Sequence, residues 1–397
     1  MQSFRLKALD SFHCLGGDCP FTCCKGWEIT LNPEIVAKWE TLEPGAFKQG
    51  LLAAIERNPA AHQEILSMHR SEDGACIMLD ETGLCNIHKQ TEELLPATCR
   101  DYPRIACNYG MKKLATANLS CPEIVRLVLA ANTTDQFQIS EDGFPSPVEL
   151  GGLAGQIGQQ LEDFTNLVLA EQRFSLAVRI AGIAEILVRL EQKRQQGILN
   201  LSEVQRLCAK PRQHLYELNQ KTRLRHLRPQ PALAGRFWKF IVSALGTPDA
   251  QGYFDRTITQ NEFVQRAIAA QTDVECTALY EEMLGYRNSA VFDLSEANQL
   301  YGEKYLSVKF VNSGFPATPA GGNFIATFLY CIFPFALIQL LLWLQANQKG
   351  KVSDESVLSM ISRSERMLGH NDHIYLYLQQ NTAALRLDLY YQCLMDL

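Results

Sequence analysis

"HCLGGDCPFTCCKGW" runs from His13 to Trp27 and holds four cysteines, Cys14, Cys19, Cys23 and Cys24. A free cysteine in a core behaves as a small, isolated hydrophobe, so thiols this dense ask for something to hold. Nine of the thirteen cysteines lie at or before Cys121; Cys76, Cys85, Cys99, Cys107 and Cys121 follow the first four. The others, Cys208, Cys276, Cys331 and Cys393, are far apart in apolar or helical contexts and read as buried, inert thiols. The opening "MQSFRLKALDSFHC" has no sustained apolar core and no small-residue cleavage site, so no secretory signal is expected. The expected compartment is the cytoplasm, where thiols stay reduced and a cluster is metal-binding or catalytic.

The spacing is Cys14-x4-Cys19-x3-Cys23-Cys24, then Cys76-x8-Cys85, then Cys99 and Cys121. Soft thiolates suit zinc or an iron–sulfur cluster and disfavour magnesium and calcium. Paired C-x2-C knuckles of a zinc ribbon are absent. The C-x3-C-x2-C loop of radical S-adenosylmethionine enzymes is matched only in its first step, Cys19-x3-Cys23. Two adjacent cysteines rarely bind one small ion with good geometry. Cys23 and Cys24 therefore supply two sites, or one ligand and one reactive or outer thiol. A purely structural staple is the simplest reading of the cluster.

The rest of the chain is helical in pattern, and the expected fold class is mainly α. "NPEIVAKWETL" has Asn32 as a cap and Pro33 at the first helical position, and "PEIVRLVLAAN" restarts the same way after Cys121. "PGAFKQGLLAAIERNP" reads as a helix between two prolines. Apolar residues recur at three- and four-residue steps through "NLVLAEQRFSLAVRIAGIAEILVRLEQKR". "SDESVLSMISRSERMLG" has a Ser353 cap and an acidic first turn. Only "MKKLATANLS" and "QFQIS" resemble strands. The turn-rich stretch between Ala131 and Pro147 divides a cysteine-rich metal module, 1–135, from a larger helical domain, 145–397.

At 397 residues with 47% hydrophobic and 20% charged residues, the chain can bury a substantial core. A net charge of −6 excludes a general nucleic-acid binder. The basic run "KTRLRHLRPQ", Lys221 to Gln230, reads as a solvated helix end or as a docking strip for an acidic partner. "FIATFLYCIFPFALIQLLLWL", Phe324 to Leu344, has the length of a membrane span. Pro334 and Gln339 interrupt it and neither flank carries a basic cluster. The expectation is a buried helix pair broken near Pro334, with no stable membrane insertion.

In order, "FHCLGGDCPFTCCKGWEITL", "GACIMLDETGLCNIH", "LPATCRDYPR" and "NLSCPEIVRLVL" resemble the flagellin lysine-N-methylases of enteric bacteria. They also resemble the wider group of zinc- or iron-chelating proteins with a CxxCxxCC-type motif. The motifs cover the first 130 residues or so; beyond them the likeness rests on length and helical character. The resemblance implies methylation of the ε-amine of surface lysines on flagellin, with S-adenosylmethionine as donor and an iron–sulfur cluster, 4Fe–4S in type, with zinc as the alternative. It carries over to Cys14, Cys19, Cys23, Cys24, Cys76, Cys85, Cys99 and Cys121 as metal residues. Cys107 matches no family cysteine, and Pro96 stands where many members have a further one. Which four thiolates would hold a cluster is left open.

Methyl transfer to lysine needs a neutral amine and hence desolvation or a base. Tyr102 and Arg100 are the candidate catalytic residues, and Arg104 and Trp27 the candidate cofactor contacts. The aromatics can face a lysine chain, although core packing is the simpler role for Trp27. The arginines can pair with a carboxylate or offset thiolate charge, and ordinary salt bridges would also explain them. His13 and His88, beside cysteines, read as hydrogen-bonding residues before ligands; His370 and His373 in "HNDH" can share a helix face. "ELGGLAGQIGQQLE", Glu149 to Glu162, follows no strand and reads as a loop entering a helix, not a dinucleotide fingerprint. The uncharged stretch from Phe310 to Gln348 is a candidate floor for a substrate groove. The rival readings are a non-enzymatic zinc- or iron-binding protein with a partner-binding helical domain, and an iron–sulfur enzyme acting on a small molecule.

Overall fold

Apolar residues at helical spacing carry most of the chain into α-helices, and the short strands gather around the cysteine-bearing loops. The computed structural model describes residues 3–368 apart from 26–27, 59–64, 73, 110–111, 132–135, 141–151, 224–229, 314 and 316–323. Trp27, Cys393, His370, His373 and most of the basic run 221–230 lie outside the described residues, as does the side chain of Cys107.

Two sheets frame the N-terminal part. Strands β1 (Ser3–Leu6), β5 (Arg104–Tyr109), β6 (Lys112–Ala117) and β7 (Phe137–Ser140) form one sheet in the order β5-β6-β1-β7. β1 runs parallel to β6, pairing Phe4 with Leu114, and antiparallel to β7, pairing Phe4 with Ile139. Strands β2 (Thr30–Leu31), β3 (Ile55–Asn58) and β4 (Ile65–Met68) form the other, in the order β2-β4-β3. The two stretches read as strands hold β6 and β7. The helix expected across "PGAFKQGLLAAIERNP" stops early. Ala46–Ala53 is helical, and the chain then turns at Ala54 into β3, where β-branched Ile55 pairs with Met68.

Two apolar clusters result. The smaller surrounds Trp39, fully buried, with Ile29, Leu31, Leu51, Met68, Ile87 and Leu94. Trp39 Nε1 donates to the Leu94 carbonyl at 3.0 Å, so this bulky residue is buried without losing its hydrogen bond. The larger core joins β1, β6 and the helix Pro122–Ala130 to the C-terminal helices. At its centre one helix runs unbroken from Phe324 to Lys349, through Pro334. The expected break is absent, because packing on every side holds the helix across the bond that proline cannot donate. Its most apolar window is 94% buried, and it is the one helix among the described residues long and apolar enough to cross a membrane. So enclosed, it is core and offers no open floor for a substrate.

The helix Tyr301–Asn312 clamps the N-terminal sheet to this core. Asn312 donates to the Ala117 carbonyl at 2.7 Å and accepts from Thr116 Oγ1 at 2.6 Å. Lys304 Nζ donates to the Leu129 carbonyl at 2.6 Å, placing a cation at the C-terminal end of the helix that begins after Cys121. Lys309 and Glu365 form a buried ion pair at 2.9 Å, and the Tyr305 hydroxyl also donates to Glu365. That pair anchors the helix Asp354–Leu368, whose Ser353 cap accepts from the Ser356 N–H at 3.3 Å.

Candidate metal centre

Tight turns bring the first two cysteine segments together. A Cβ on Gly17 would stand 2.4 Å from the Thr82 carbonyl oxygen, and Gly16 has φ +56°. The loop carrying Cys14 and Cys19 therefore lies directly on the turn before Cys85, an approach only glycine permits. Asp80 shapes that turn by accepting from the Thr82 and Leu84 N–H groups at 2.9 and 3.0 Å. The Cys76 N–H donates to the Cys24 carbonyl at 2.8 Å, which ties the same two segments together a second time. Cys99 sits in the short helix Ala97–Asp101, and Cys85 and Cys121 each occupy a helix N-cap.

All eight cysteines matched to the family motifs line one cavity of about 560 Å³. Their sulfurs sit among backbone donors. Cys14 Sγ accepts from the Gly16 N–H at 3.4 Å. Cys19 and Cys76 likewise accept from the amides of Phe21 and Met78, Cys85 from those of His88 and Ile87, and Cys121 from those of Ile124 and Glu123. The donors lie two or three residues on, an arrangement that stabilises sulfur as a thiolate.

Burial opposes that charge. It pushes Cys76 and Cys121 up to about 11 and raises Cys19, Cys85 and Cys99 as well. Cys23 and Cys24 share a hydrogen bond, which raises Cys23 and lowers Cys24 to about 6. Such a set ionises fully only beside positive charge, which a soft metal supplies. By donor chemistry the residues fit zinc or iron. Among the described residues, no group of three or more His, Cys, Asp or Glu side chains stands close enough together to hold a single metal ion. The described cysteines form no disulfide.

One positive charge comes from a residue the sequence did not single out. Arg366, 3% exposed, lines the cavity from the C-terminal helix. Its guanidinium donates to the Thr22 and Phe21 carbonyls at 2.6 and 3.2 Å and lies 4.0 Å from the Phe21 ring centroid. Arg363, one turn earlier, stacks on the same ring at 5.3 Å. No local signal marks Arg366 in the sequence. It is one arginine on an amphipathic helix, given its role by tertiary folding.

Tyr102, Arg100 and Arg104 also line the cavity, as do His13 and His88. The Tyr102 hydroxyl lies 3.0 Å from that of Ser120, and burial raises its phenol well above the ordinary tyrosine range. Tyr102 is therefore a neutral ring and hydroxyl, not a phenolate base. Arg100 pairs with Asp101 at 3.0 Å on the exposed side, and the Arg104 guanidinium lies over Phe12 at 5.2 Å. His88 Nε2 is 3.2 Å from Glu92 Oε1, and His13 Nδ1 is 3.1 Å from the Ser11 carbonyl. Both histidines have the hydrogen-bonded character their sequence context suggested.

Comparison with known proteins finds matches to two stretches of the chain. Residues 13–122 match a family described as a "putative zinc- or iron-chelating domain" of CxxCxxCC type. The Lysine-N-methylase of Salmonella choleraesuis (strain SC-B67) is 32% identical over 134 residues, 33% of this chain and 32% of the relative. That of Salmonella typhimurium (strain LT2) is 31% identical over the same length. The match thus spans about a third of these two relatives. The Flagellar biosynthetic protein FliU of Salmonella muenchen is 31% identical over 134 residues, 77% of its length. No solved structure matches. Residues 162–388, more than half of the chain, match the FliB lysine N-methylase C-terminal domain, and the chain belongs to that family.

Proposed function

We propose that this protein methylates the ε-amine of lysines on flagellin, in the cytoplasm, with S-adenosylmethionine as donor and a cysteine-bound iron–sulfur cluster in its N-terminal part. The observation that carries this reading is the union of two features in one chain. A cavity walled by eight thiols receives Arg366 from within the segment that matches the lysine N-methylase domain. The names of the Salmonella relatives supply the reaction and the flagellar connection.

When bound, S-adenosylmethionine would supply an electrophilic methyl on a sulfonium, and the cluster a soft metal centre. The cavity thiols would hold that centre, and Arg366 offsets part of their negative charge. A lysine ammonium must lose its proton before its nitrogen can form a bond to carbon. His88, held by Glu92, is the proposed acceptor of that proton. The neutral Tyr102 ring offers a face to the incoming cation, while Arg100 and Arg104 offer their charge to a carboxylate.

Mass spectrometry of flagellin co-expressed with the protein tests the reading. Lysines should gain about 14 Da per methyl, and deletion of the protein should abolish the gain. Unmodified flagellin beside a fully metallated protein would favour the non-enzymatic metal-binding alternative.

A further inference from the structure

We infer that the eight cavity thiols form two separate metal sites, Cys14, Cys19, Cys23 and Cys121 in one and Cys24, Cys76, Cys85 and Cys99 in the other, with the Cys23–Cys24 doublet divided between them. The inference rests on the metal-binding part of the reading above and specifies it.

The packing divides the sulfurs first. Cys76 belongs to the small apolar cluster around Trp39, and Cys24, Cys85 and Cys99 pack against that same cluster. Cys121 belongs instead to the large helical core. The Cys76 N–H to Cys24 carbonyl bond ties Cys24 to the small-cluster side. Cys14 and Cys19 lie on the short loop around Gly16, where the Cys14 sulfur and the Cys19 N–H are both bonded to Gly16.

Proximity divides them the same way. Cys99 has Cys24, Cys76 and Cys85 as neighbours, and Cys76 has Cys24 and Cys85. Cys121 has Cys19 and Cys14 as neighbours, and Cys23 has Cys14. Among these neighbours, only those that Cys24 makes with Cys19 and with the adjacent Cys23 cross between the quartets. Each group has four sulfurs, the number that a tetrahedral zinc or a four-cysteine cluster requires. The arrangement also answers why the doublet exists. Two neighbouring thiols cannot both serve one small ion well, but they can serve two sites placed side by side.

The test is metal content, read without reference to methylation. The full chain and its Cys99→Ser, Cys121→Ser, Cys23→Ser and Cys24→Ser variants are purified anaerobically. Iron, zinc and acid-labile sulfide are then measured per chain. The wild type should hold the complement of two sites. Cys99→Ser and Cys121→Ser should each lose a different part, the two losses summing to the wild-type content. Cys24→Ser should follow Cys99→Ser, and Cys23→Ser should follow Cys121→Ser. A wild type loaded with the metal of one site only overturns the division, and this count stands even if a variant does not fold. So does complete loss of metal in both Cys99→Ser and Cys121→Ser with an unchanged near-ultraviolet dichroism spectrum. Unmethylated flagellin beside two filled sites would overturn the enzymatic reading and leave the division standing.

Discussion

Arg366 Nη1 donates to the Thr22 carbonyl at 2.6 Å, across 344 residues of sequence. This bond fastens the cysteine loop to the C-terminal helix and sets a buried guanidinium near Cys19, Cys23 and Cys24. Hydrogen bonds from a charged group are worth about 1.5–3 kcal/mol. Arg366→Ala should lower stability by about 3 kcal/mol and speed metal release, read by denaturant unfolding and by transfer to a chelator. Arg366→Lys should fall between, because an ammonium cannot span two carbonyls and stack on Phe21 together. Metal release unchanged in Arg366→Ala would remove the electrostatic role.

Glu365, one residue before Arg366 on the same helix, pairs with Lys309 of the helix Tyr301–Asn312, each side chain 4% exposed. Lys309→Met leaves a buried carboxylate with, among the described residues, the Tyr305 hydroxyl as its remaining donor, and should cost about 3–5 kcal/mol. The double change Lys309→Met with Glu365→Leu should recover much of that loss. A double-mutant cycle by urea unfolding gives the coupling. Additive losses would show that the two groups act independently.

Gly17 and Gly74 make a controlled comparison. A Cβ at Gly17 strikes the Thr82 backbone oxygen, whereas Gly74 has open space and a φ of +77°. Gly17→Ala should separate the loops of Cys19 and Cys85, costing about 1–3 kcal/mol and reducing metal content. Gly74→Ala should cost about 1–2 kcal/mol through its backbone alone and leave metal content unchanged. Equal metal loss in both would mean that the loop contact is not what matters.

Tyr102 separates a ring from a hydroxyl. Tyr102→Phe removes the hydroxyl with its bond to Ser120, worth about 1 kcal/mol, and should retain flagellin methylation. Tyr102→Ala should reduce methylation at least tenfold with the metal retained. If the Phe variant is as inactive as the Ala variant, the hydroxyl carries the role and not the ring face.

Metal removal should act unevenly. The cluster around Trp39 is small, and metal ligation is folding energy for small modules. Chelation should raise hydrogen exchange in residues 14–25 and 76–99 while the helix Phe324–Lys349 stays protected. Uniform protection after chelation would show that packing alone holds the loops.

Much of this was legible in the sequence because it was local. Pro33 and Pro122 opened helices where proline fits, and Ser353 capped one. The eight motif cysteines were grouped by their resemblance to the family's motifs, which lie in short local stretches. What escaped depended on distant partners. Ile55 left a helical pattern because Met68 offered strand pairing, and Pro334 stayed helical because its surroundings left no alternative. Arg366 had no sequence signature, since its partners are main-chain carbonyls near the other end of the chain.

That distance has a consequence for biosynthesis. At about 5–20 residues per second, Arg366 leaves the ribosome's active centre roughly 17–70 s after Thr22. The cysteine loops are thus made long before the cation that neutralises them. Through that interval nascent thiols face cellular metals and oxidants without their counter-charge, and the finished pocket can close only after Arg366 has been made.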